Sequence, residues 1–240
     1  NGVVTGFSAV NISNTANISV IQNISDSSVT SFTLSNASGT ATFNEATGDT
    51  INEVSQNGIL VLSARSASAD ALMVAMPNSG FGVYMAASSP SNAFGASTYA
   101  GHAGISSFSP TGTATYQGGV IGLYAKTGSS PVFTIADMTA AANFGTNTIS
   151  LTTTGTVGIN PATGAFLGNY GALNISATNL VDGNGNNHFI GNISDGSGLS
   201  GSAEIALFGS SAQEVAGIGS LADNLNNPTK VHLISFGGDK

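Results

Sequence analysis

Residues 173–178 of the chain read Leu-Asn-Ile-Ser-Ala-Thr, a strict alternation of apolar and polar residues. Successive side chains of a β-strand point to opposite faces, so such a segment has one apolar face and one polar face. Residues 148–152 and 202–207 repeat the pattern. Turns rich in Gly, Asn and Asp at 182–185 and 195–198 supply the positive φ angles that hairpins need. These features predict an all-β fold.

The predicted strands fall into two groups. Eight are predicted from residue 113 onward, near 113–124, 131–136, 146–153, 170–178, 186–193, 200–208, 213–219 and 230–236. Because short antiparallel strands with few charges need closure to protect their edges, we predict an eight-stranded antiparallel β-barrel whose interior is filled by side chains. Less regular strands are predicted in the first half, near 3–9, 17–22, 28–34, 39–43, 58–64 and 81–86.

The two groups are separated by a long Gly/Ser/Pro-rich segment at 87–112, which is predicted to be a loop. We therefore predict an N-terminal β domain over residues 1–110 and the barrel over residues 111–240. Only residues 66–76 and 137–143 contain helix-favouring Ala and Met. Asn-Ile-Ser recurs every six residues from Asn11 to Asn23, which leaves a parallel β-helix as an alternative for that segment.

Composition excludes several functions. The 240 residues include 12 acidic and 4 basic ones, for a net charge of −8, which disfavours nucleic acid and anionic membrane surfaces as partners. The chain has no Cys, which excludes disulfides, thiolate metal sites and a Cys nucleophile. No run of about 18 apolar residues predicts a transmembrane helix.

Catalytic motifs are also missing from the sequence. It has no Gly-x-Ser-x-Gly elbow, no His-Glu-x-x-His and no phosphate-binding loop, and its acidic residues are scattered singly. Asp182-Gly-Asn-Gly-Asn186 begins like a calcium loop, but Asn187 and Ile193 occupy the positions that need Gly and Glu. We therefore expect a protein that is not an enzyme.

Three segments resemble one known family. Residues 111–124 read TGTATYQGGVIGLY, residues 206–217 read ALFGSSAQEVAG, and residues 234–240 read ISFGGDK. In this order they resemble the opening strand, a late strand–turn–strand and the closing strand of the C-terminal barrel in bacterial transferrin-binding-protein-B-like surface proteins. Ser210 and Ala216 depart from the Pro and Gly that the family often has there.

The resemblance implies an architecture and a class of function. It implies an N-terminal handle-like β domain packed on an eight-stranded barrel, in a non-enzymatic protein that is secreted or displayed on the outer face of the outer membrane. Members of this family bind host transferrin or complement regulators, or capture heme as hemophilin-type secreted hemophores. An outer-membrane receptor is a further implied partner.

Our leading hypothesis from the sequence is heme capture for bacterial iron acquisition, with His102 as the ligand of the iron. Imidazole is a common axial ligand of heme iron, and small neighbours of His102 would let a flat porphyrin approach. Arg65, the only Arg, is the predicted partner of the propionates. The remaining predicted contacts are an accessory tyrosine and three apolar walls, namely Tyr99, Tyr84, Phe94 and Phe108.

Two alternatives remain open. The first is a surface lipoprotein that binds a host protein such as transferrin or a complement regulator, in which case a lipidated Cys would precede Asn1 in the precursor. The second is a structural or adhesin module of the cell surface, for which low charge and richness in Asn, Ser and Thr are typical.

Overall fold

The computed structural model describes residues 17–22, 28–36, 39–56, 59–89, 92–101, 110–160, 163–182 and 188–240. These residues form seventeen β-strands and two short 3-10 turns, and every strand pairing is antiparallel. The all-β fold class is therefore confirmed.

The N-terminal part consists of two sheets. The first has three strands, β1 (Asn17–Gln22), β2 (Val29–Asn36) and β3 (Gly39–Asn44). The second has five strands in chain order, β4 (Thr50–Gln56), β5 (Ile59–Arg65), β6 (Ala69–Ala75), β7 (Ser79–Ser89) and β8 (Asn92–Gly101). A 3-10 turn at Glu45–Thr47 joins the sheets, and the Asn44 side chain caps it by accepting a hydrogen bond from the Ala46 N–H.

The C-terminal part is a closed barrel. Its strands are β9 (Thr113–Lys126), β10 (Val132–Asn143), β11 (Thr148–Ile159), β13 (Ile175–Asp182), β14 (His188–Asp195), β15 (Ser200–Phe208), β16 (Glu214–Ala222) and β17 (Lys230–Asp239). Pairing of β17 with β9 closes the ring, which confirms the predicted eight-stranded barrel. The short β12 (Phe166–Asn169) lies outside the ring and pairs with β11.

Buried apolar side chains form three clusters. One cluster fills the barrel interior and includes Tyr116, Met138, Phe189 and Phe236. A second lies between the three-stranded and five-stranded sheets and includes Phe32, Phe43, Leu62 and Tyr84. The third lies between the other face of the five-stranded sheet and the barrel wall, and includes Phe81, Tyr99, Leu123 and Ile218. The five-stranded sheet is therefore the middle layer of the molecule.

Strand β16 shows what this layering requires of the sequence. All nine of its residues are buried. Val215 and Leu221 belong to the barrel interior, whereas Ala216 and Ile218 face the five-stranded sheet. A strand covered on both faces lacks the apolar–polar alternation of a strand with one solvated face, which accounts for its nearly continuous run of apolar and small residues.

Despite their helix-favouring Ala and Met, residues 69–75 form strand β6 and residues 137–143 form the end of β10, in keeping with the predicted all-β fold. Residues 92–101 form β8 rather than part of a loop, so the loop predicted over 87–112 is wrong for this portion. Small residues suit β8 because it is buried on both sides, with Ala96, Thr98 and Tyr99 almost inaccessible. The Asn-Ile-Ser copies at 17–19 and 192–194 lie in antiparallel strands, and the other copies of the hexad lie outside the described residues.

Candidate binding surface

The junction, by which we mean the contact between the five-stranded sheet and the barrel wall, depends on two close approaches. A Cβ added to Gly95 of β8 would lie 2.5 Å from the Leu123 side chain, and one added to Gly237 of β17 would lie 2.6 Å from the Phe81 ring. Real Cβ atoms are essentially not found at such distances, so a larger residue at either position would force the neighbouring side chain to move. The two layers consequently pack with apolar side chains directly against backbone.

A cluster of three polar side chains crosses the junction. The Tyr99 hydroxyl donates a hydrogen bond to Glu204 Oε1 at 2.5 Å, and His188 Nε2 lies 2.7 Å from the same oxygen. Tyr99 Oη and His188 Nε2 are 3.1 Å apart. Since β8 supplies Tyr99 whereas β14 and β15 supply the other two, the cluster ties the middle layer to the barrel.

Electrostatics fix the charge state of this cluster. Burial alone would raise the pKa of Glu204, but the hydrogen bonds from His188 and Tyr99 outweigh burial and hold that pKa below its usual value. Burial, together with the hydrogen bond and charge of Glu204, raises the pKa of Tyr99. Around neutral pH the carboxylate is therefore ionised and the phenol is protonated, which is the pairing that the hydrogen bond needs.

A second carboxylate holds the other end of the junction. Glu214, 3% exposed, accepts hydrogen bonds from the Asn78 backbone N–H, the Asn78 amide and the Ser79 hydroxyl at 2.7 to 3.1 Å. Asn78 lies in the β6–β7 turn and Ser79 begins β7, so Glu214 of β16 anchors the start of β7 on the barrel. A groove of about 290 Å³ lies beside it, lined by Ile59, Met76, Pro77, Asn78, Gln213, Glu214, Asp239 and Lys240.

Apolar residues continue from the junction into solvent. Across β17, β9, β10, β11 and β12, one row of residues lies opposite in register, namely Leu233, Leu123, Phe133, Ile159 and Phe166. Leu123 and Phe133 are buried at 4% and 3% exposure, whereas Phe166 at the end of the row is 66% exposed. Two neighbours are also exposed, Leu167 at 53% and Ile135 at 38%.

We call Ile135, Ile159, Phe166 and Leu167 the exposed strip. Three adjacent strands contribute to it, and none of its members is charged. Contiguous exposed apolar side chains at the rim of a covered surface are typical of a protein–protein contact, and aromatic residues are enriched at the centres of such contacts. The strip is therefore the candidate binding surface.

The structure places the six residues predicted from the sequence as follows. Tyr84 is fully buried on the side of the middle layer that faces the three-stranded sheet, and its hydroxyl donates to the Gly39 carbonyl oxygen at 2.6 Å. Tyr99 lies on the opposite face, in the junction. Arg65 forms an ion pair with Asp70, with 2.6 Å between Nε and Oδ1. His102 and Phe108 lie outside the described residues, as does the side chain of Phe94.

These positions bear on the predicted heme site. Tyr84 and Tyr99 point to opposite faces of one sheet and cannot line one pocket together, and Arg65 already has an anionic partner. The described members of the set therefore do not frame a heme pocket by themselves. The heme hypothesis depends on His102 and stays a prediction.

The two other histidines lie in the barrel. His188 belongs to the junction cluster, whereas His232 of β17 lies inside the barrel, 1% exposed and packed edge-on to Tyr124. Its Nε2 is 3.0 Å from the Thr134 hydroxyl, while its Nδ1 has no hydrogen-bond partner among the described residues. Burial lowers the pKa of His232 to about 3, so the ring is neutral at physiological pH.

Sequence reasoning missed Glu204, Glu214 and the exposed strip. Tyr99, one partner of Glu204, and the partners of Glu214 lie more than one hundred residues away in the chain, so no local spacing marks these contacts. The available signal was a single charged residue in a strand otherwise without charge, as at Glu204 in residues 200–208. Phe166 and Leu167 carried no signal, because adjacent apolar residues in so short a strand are common.

The molecule belongs, by its fold, to a class of proteins in which N-terminal β-sheets pack on the wall of an eight-stranded antiparallel barrel. Within that class its structure is similar to transferrin-binding protein B from Haemophilus parasuis, with a TM-score of 0.53 and 13% sequence identity over 97% of this chain and 46% of that one. The resemblance seen in three sequence segments is therefore confirmed for the fold.

Two further structures are similar. Transferrin-binding protein B from serogroup B Neisseria meningitidis has a TM-score of 0.46 and 17% identity, over 79% of this chain and 35% of that one. The haemoglobin receptor HpuA from Kingella denitrificans has a TM-score of 0.43 and 18% identity, over 98% and 89%. The chain thus spans less than half the length of the transferrin-binding protein B chains that it matches.

Comparison of sequences adds nothing to this likeness. No protein-family model matches the chain, and no curated protein matches it significantly. Within the described residues, no helix has the length and apolar character that a membrane span requires.

Proposed function

We propose that the chain is a non-enzymatic binding protein of the bacterial cell surface that recognises a host iron-carrying protein. The observation that carries this proposal is the exposed strip, an uncharged apolar surface that continues from the packed junction. The fold of the chain is similar to that of transferrin-binding protein B from Haemophilus parasuis, whose name states the protein that it binds. This similarity supports transferrin as the first partner to examine.

The use that the chain makes of its ionisable groups also favours binding over catalysis. Glu204, Glu214 and His188 are engaged in holding the middle layer to the barrel. Among the described residues no three His, Asp or Glu side chains come together in a way that could hold a metal ion. A rigid scaffold with its polar groups internally paired presents a preformed surface, which reduces the entropy lost on association.

Direct binding tests the proposal. Immobilised chain is exposed to iron-loaded transferrin and, in a second arm, to haemoglobin, and the response is measured by surface plasmon resonance. We expect saturable binding to one of them that survives physiological salt, because an apolar contact is little screened by salt. Binding that disappears at 150 mM salt would indicate non-specific charge attraction and contradict the proposal.

Heme capture is a separate proposal of finer detail. It rests on His102 as the ligand of the iron and on the small residues around it in the sequence, with Tyr99 as an accessory group. Bound heme would be cargo carried by the segment that contains His102, while the barrel, whose interior is packed with side chains, serves as scaffold. The two proposals predict different ligands and are tested separately.

A further inference from the structure

We propose that the free edge of β12 is where the partner docks, by adding one of its own extended segments as a new strand beside Phe166 and Leu167. The inference rests on the proposed function and names the part of the surface and the kind of partner segment involved. It follows from the backbone of β12, from the side chains it carries and from its continuity with the junction.

The backbone of β12 has one unused edge. Over Phe166–Asn169 it pairs with β11, and it is the terminal strand of its sheet as far as the chain is described. Three of its four residues are exposed and Gly168 is half-buried. The edge therefore presents N–H and C=O groups to solvent, and such an edge is a template for another strand.

The residues that commonly prevent edge-to-edge pairing are absent from β12. Its sequence, Phe-Leu-Gly-Asn, has no charged residue and no Pro. The strand is short and carries a β-bulge, two features that limit pairing with long flat strands but leave room for a short partner segment.

A β-bulge concentrates apolar side chains at this edge. Phe166 and Leu167 together lie opposite the single residue Ile159 of β11, because the register shifts between Gly158 and Ile159. The extra residue bends the strand and re-aims its side chains, and bulges are frequent at binding sites. The two most exposed members of the exposed strip are thus adjacent on the strand with the free edge.

Continuity with the junction argues that this surface is built to be covered. Ile159 packs against the same apolar cluster as Phe133 and Leu123, which lies between the five-stranded sheet and the barrel wall. Phe166, opposite Ile159 in register, is 66% exposed. A strand added to β12 would extend the covered row by one position.

The geometry also defines the partner segment. It is extended, neutral or basic, and carries an apolar side chain at alternate positions to meet Phe166, since alternate residues of a strand share a face. Acidic segments are disfavoured because this chain carries a net charge of −8.

A matched pair of variants tests the inference. The double variant Phe166→Ser, Leu167→Lys removes the apolar contact and places a charge at the edge. The control is Val54→Ser, Val61→Ser on β4 and β5, where two exposed valines, 65% and 40% exposed, lie opposite each other on another sheet. All four side chains are exposed, so both variants should fold, and thermal unfolding checks this.

Binding to iron-loaded transferrin and to haemoglobin is measured for the wild-type chain and for both variants, together with amide hydrogen exchange of residues 166–169 in the complex. We expect the β12 variant to bind at least about tenfold more weakly, the control to bind as wild type, and the β12 amides to be protected in the complex. Unchanged affinity of the β12 variant, or unprotected amides in a stable complex, overturns the docking site and leaves the proposed function standing. Failure of the wild-type chain to bind either protein overturns the proposed function, and this inference falls with it.

Discussion

Tyr99 and Glu204 are 105 residues apart in the chain, yet the phenol of one donates a hydrogen bond to the carboxylate of the other at 2.5 Å across the junction. The bond is buried, and the carboxylate is ionised because its neighbours hold the pKa of Glu204 low. This hydrogen bond is one of several that link the middle layer of the N-terminal part to the barrel wall, and its removal should lower the stability of the protein.

Replacement of Tyr99 by Phe should destabilise the protein by about 1–3 kcal/mol, because it removes one of the two hydrogen-bond donors of a buried carboxylate oxygen while preserving the ring. Urea unfolding followed by circular dichroism measures the change. Tyr170→Phe serves as the control, since the half-buried Tyr170 ring packs edge-on against Tyr124 and its hydroxyl has no hydrogen-bond partner among the described residues. Equal stability of the two variants would contradict the role given to Tyr99.

Stability should fall as the pH drops below about 6.5, because of His232. Its pKa in the folded protein is lowered to about 3, so between these values the unfolded chain binds a proton that the folded chain does not. More protons bound in the unfolded state means that the free energy of unfolding rises with pH in this window, by up to about 1.4 kcal/mol per pH unit for one group.

Replacement of His232 by Leu should flatten that slope between pH 6.5 and 5, above the range in which carboxylates titrate. Chemical unfolding at four or five pH values, compared between wild type and variant, measures the difference in slope. A variant with the wild-type slope would show that another group causes it.

Substitution of Gly237 by Ala should destabilise the protein by about 1–3 kcal/mol, because the added methyl group would overlap the Phe81 ring and force the layers apart. Gly119 lies directly opposite Gly237 in the barrel and offers a matched control. A Cβ there would meet its nearest atom, the Ala136 carbonyl oxygen, at 3.5 Å, an ordinary contact. Gly119→Ala should therefore be neutral, and similar melting temperatures for the two variants would argue against a tight junction.

A heme titration tests the prediction made from the His102 segment. If His102 binds the iron, added heme should give a Soret band at one equivalent, and His102→Ala should weaken heme binding by at least about tenfold and shift the band. His188→Ala and His232→Ala should leave the band nearly unchanged, since one residue belongs to the junction and the other to the barrel interior. The absence of a Soret band with stoichiometric heme would contradict the proposal of heme capture. It would not bear on the proposal that the chain binds a host protein.

Strict alternation made the barrel readable from the sequence. Segments such as 148–152 and 173–177 have one buried apolar face and one polar face that is partly or fully exposed, and this alternation predicts both the strand and its inward side. Strands β6 and β8 could not be read in this way. They lie in the middle layer, where both faces are covered and Ala, Ser, Thr and Gly fill the narrow spaces, so their local sequences look like a helix or a loop.

The polar groups of the junction were beyond local reasoning for a different reason. Glu204 and Glu214 form hydrogen bonds to residues of the N-terminal part. A single carboxylate in a sequence has no periodicity that could predict such a distant partner. Tyr99, in contrast, was selected from the sequence because it lies close to His102 in the chain. The structure shows that its hydroxyl donates a hydrogen bond to Glu204 of the barrel. Contacts between layers are set by how sheets stack, and stacking is decided by the whole chain.

Burial of both faces of β16 has a consequence for how the protein reaches its native state. During synthesis the N-terminal sheets leave the ribosome before β16 exists, so the face of the middle layer that carries Phe81 and Tyr99 is not fully covered until β16 has been made. Conversely, a barrel produced alone would show Ala216, Ile218 and Leu123 to water. Neither part buries its side of the junction without the other. We therefore expect that the two parts, produced as separate fragments, would be insoluble.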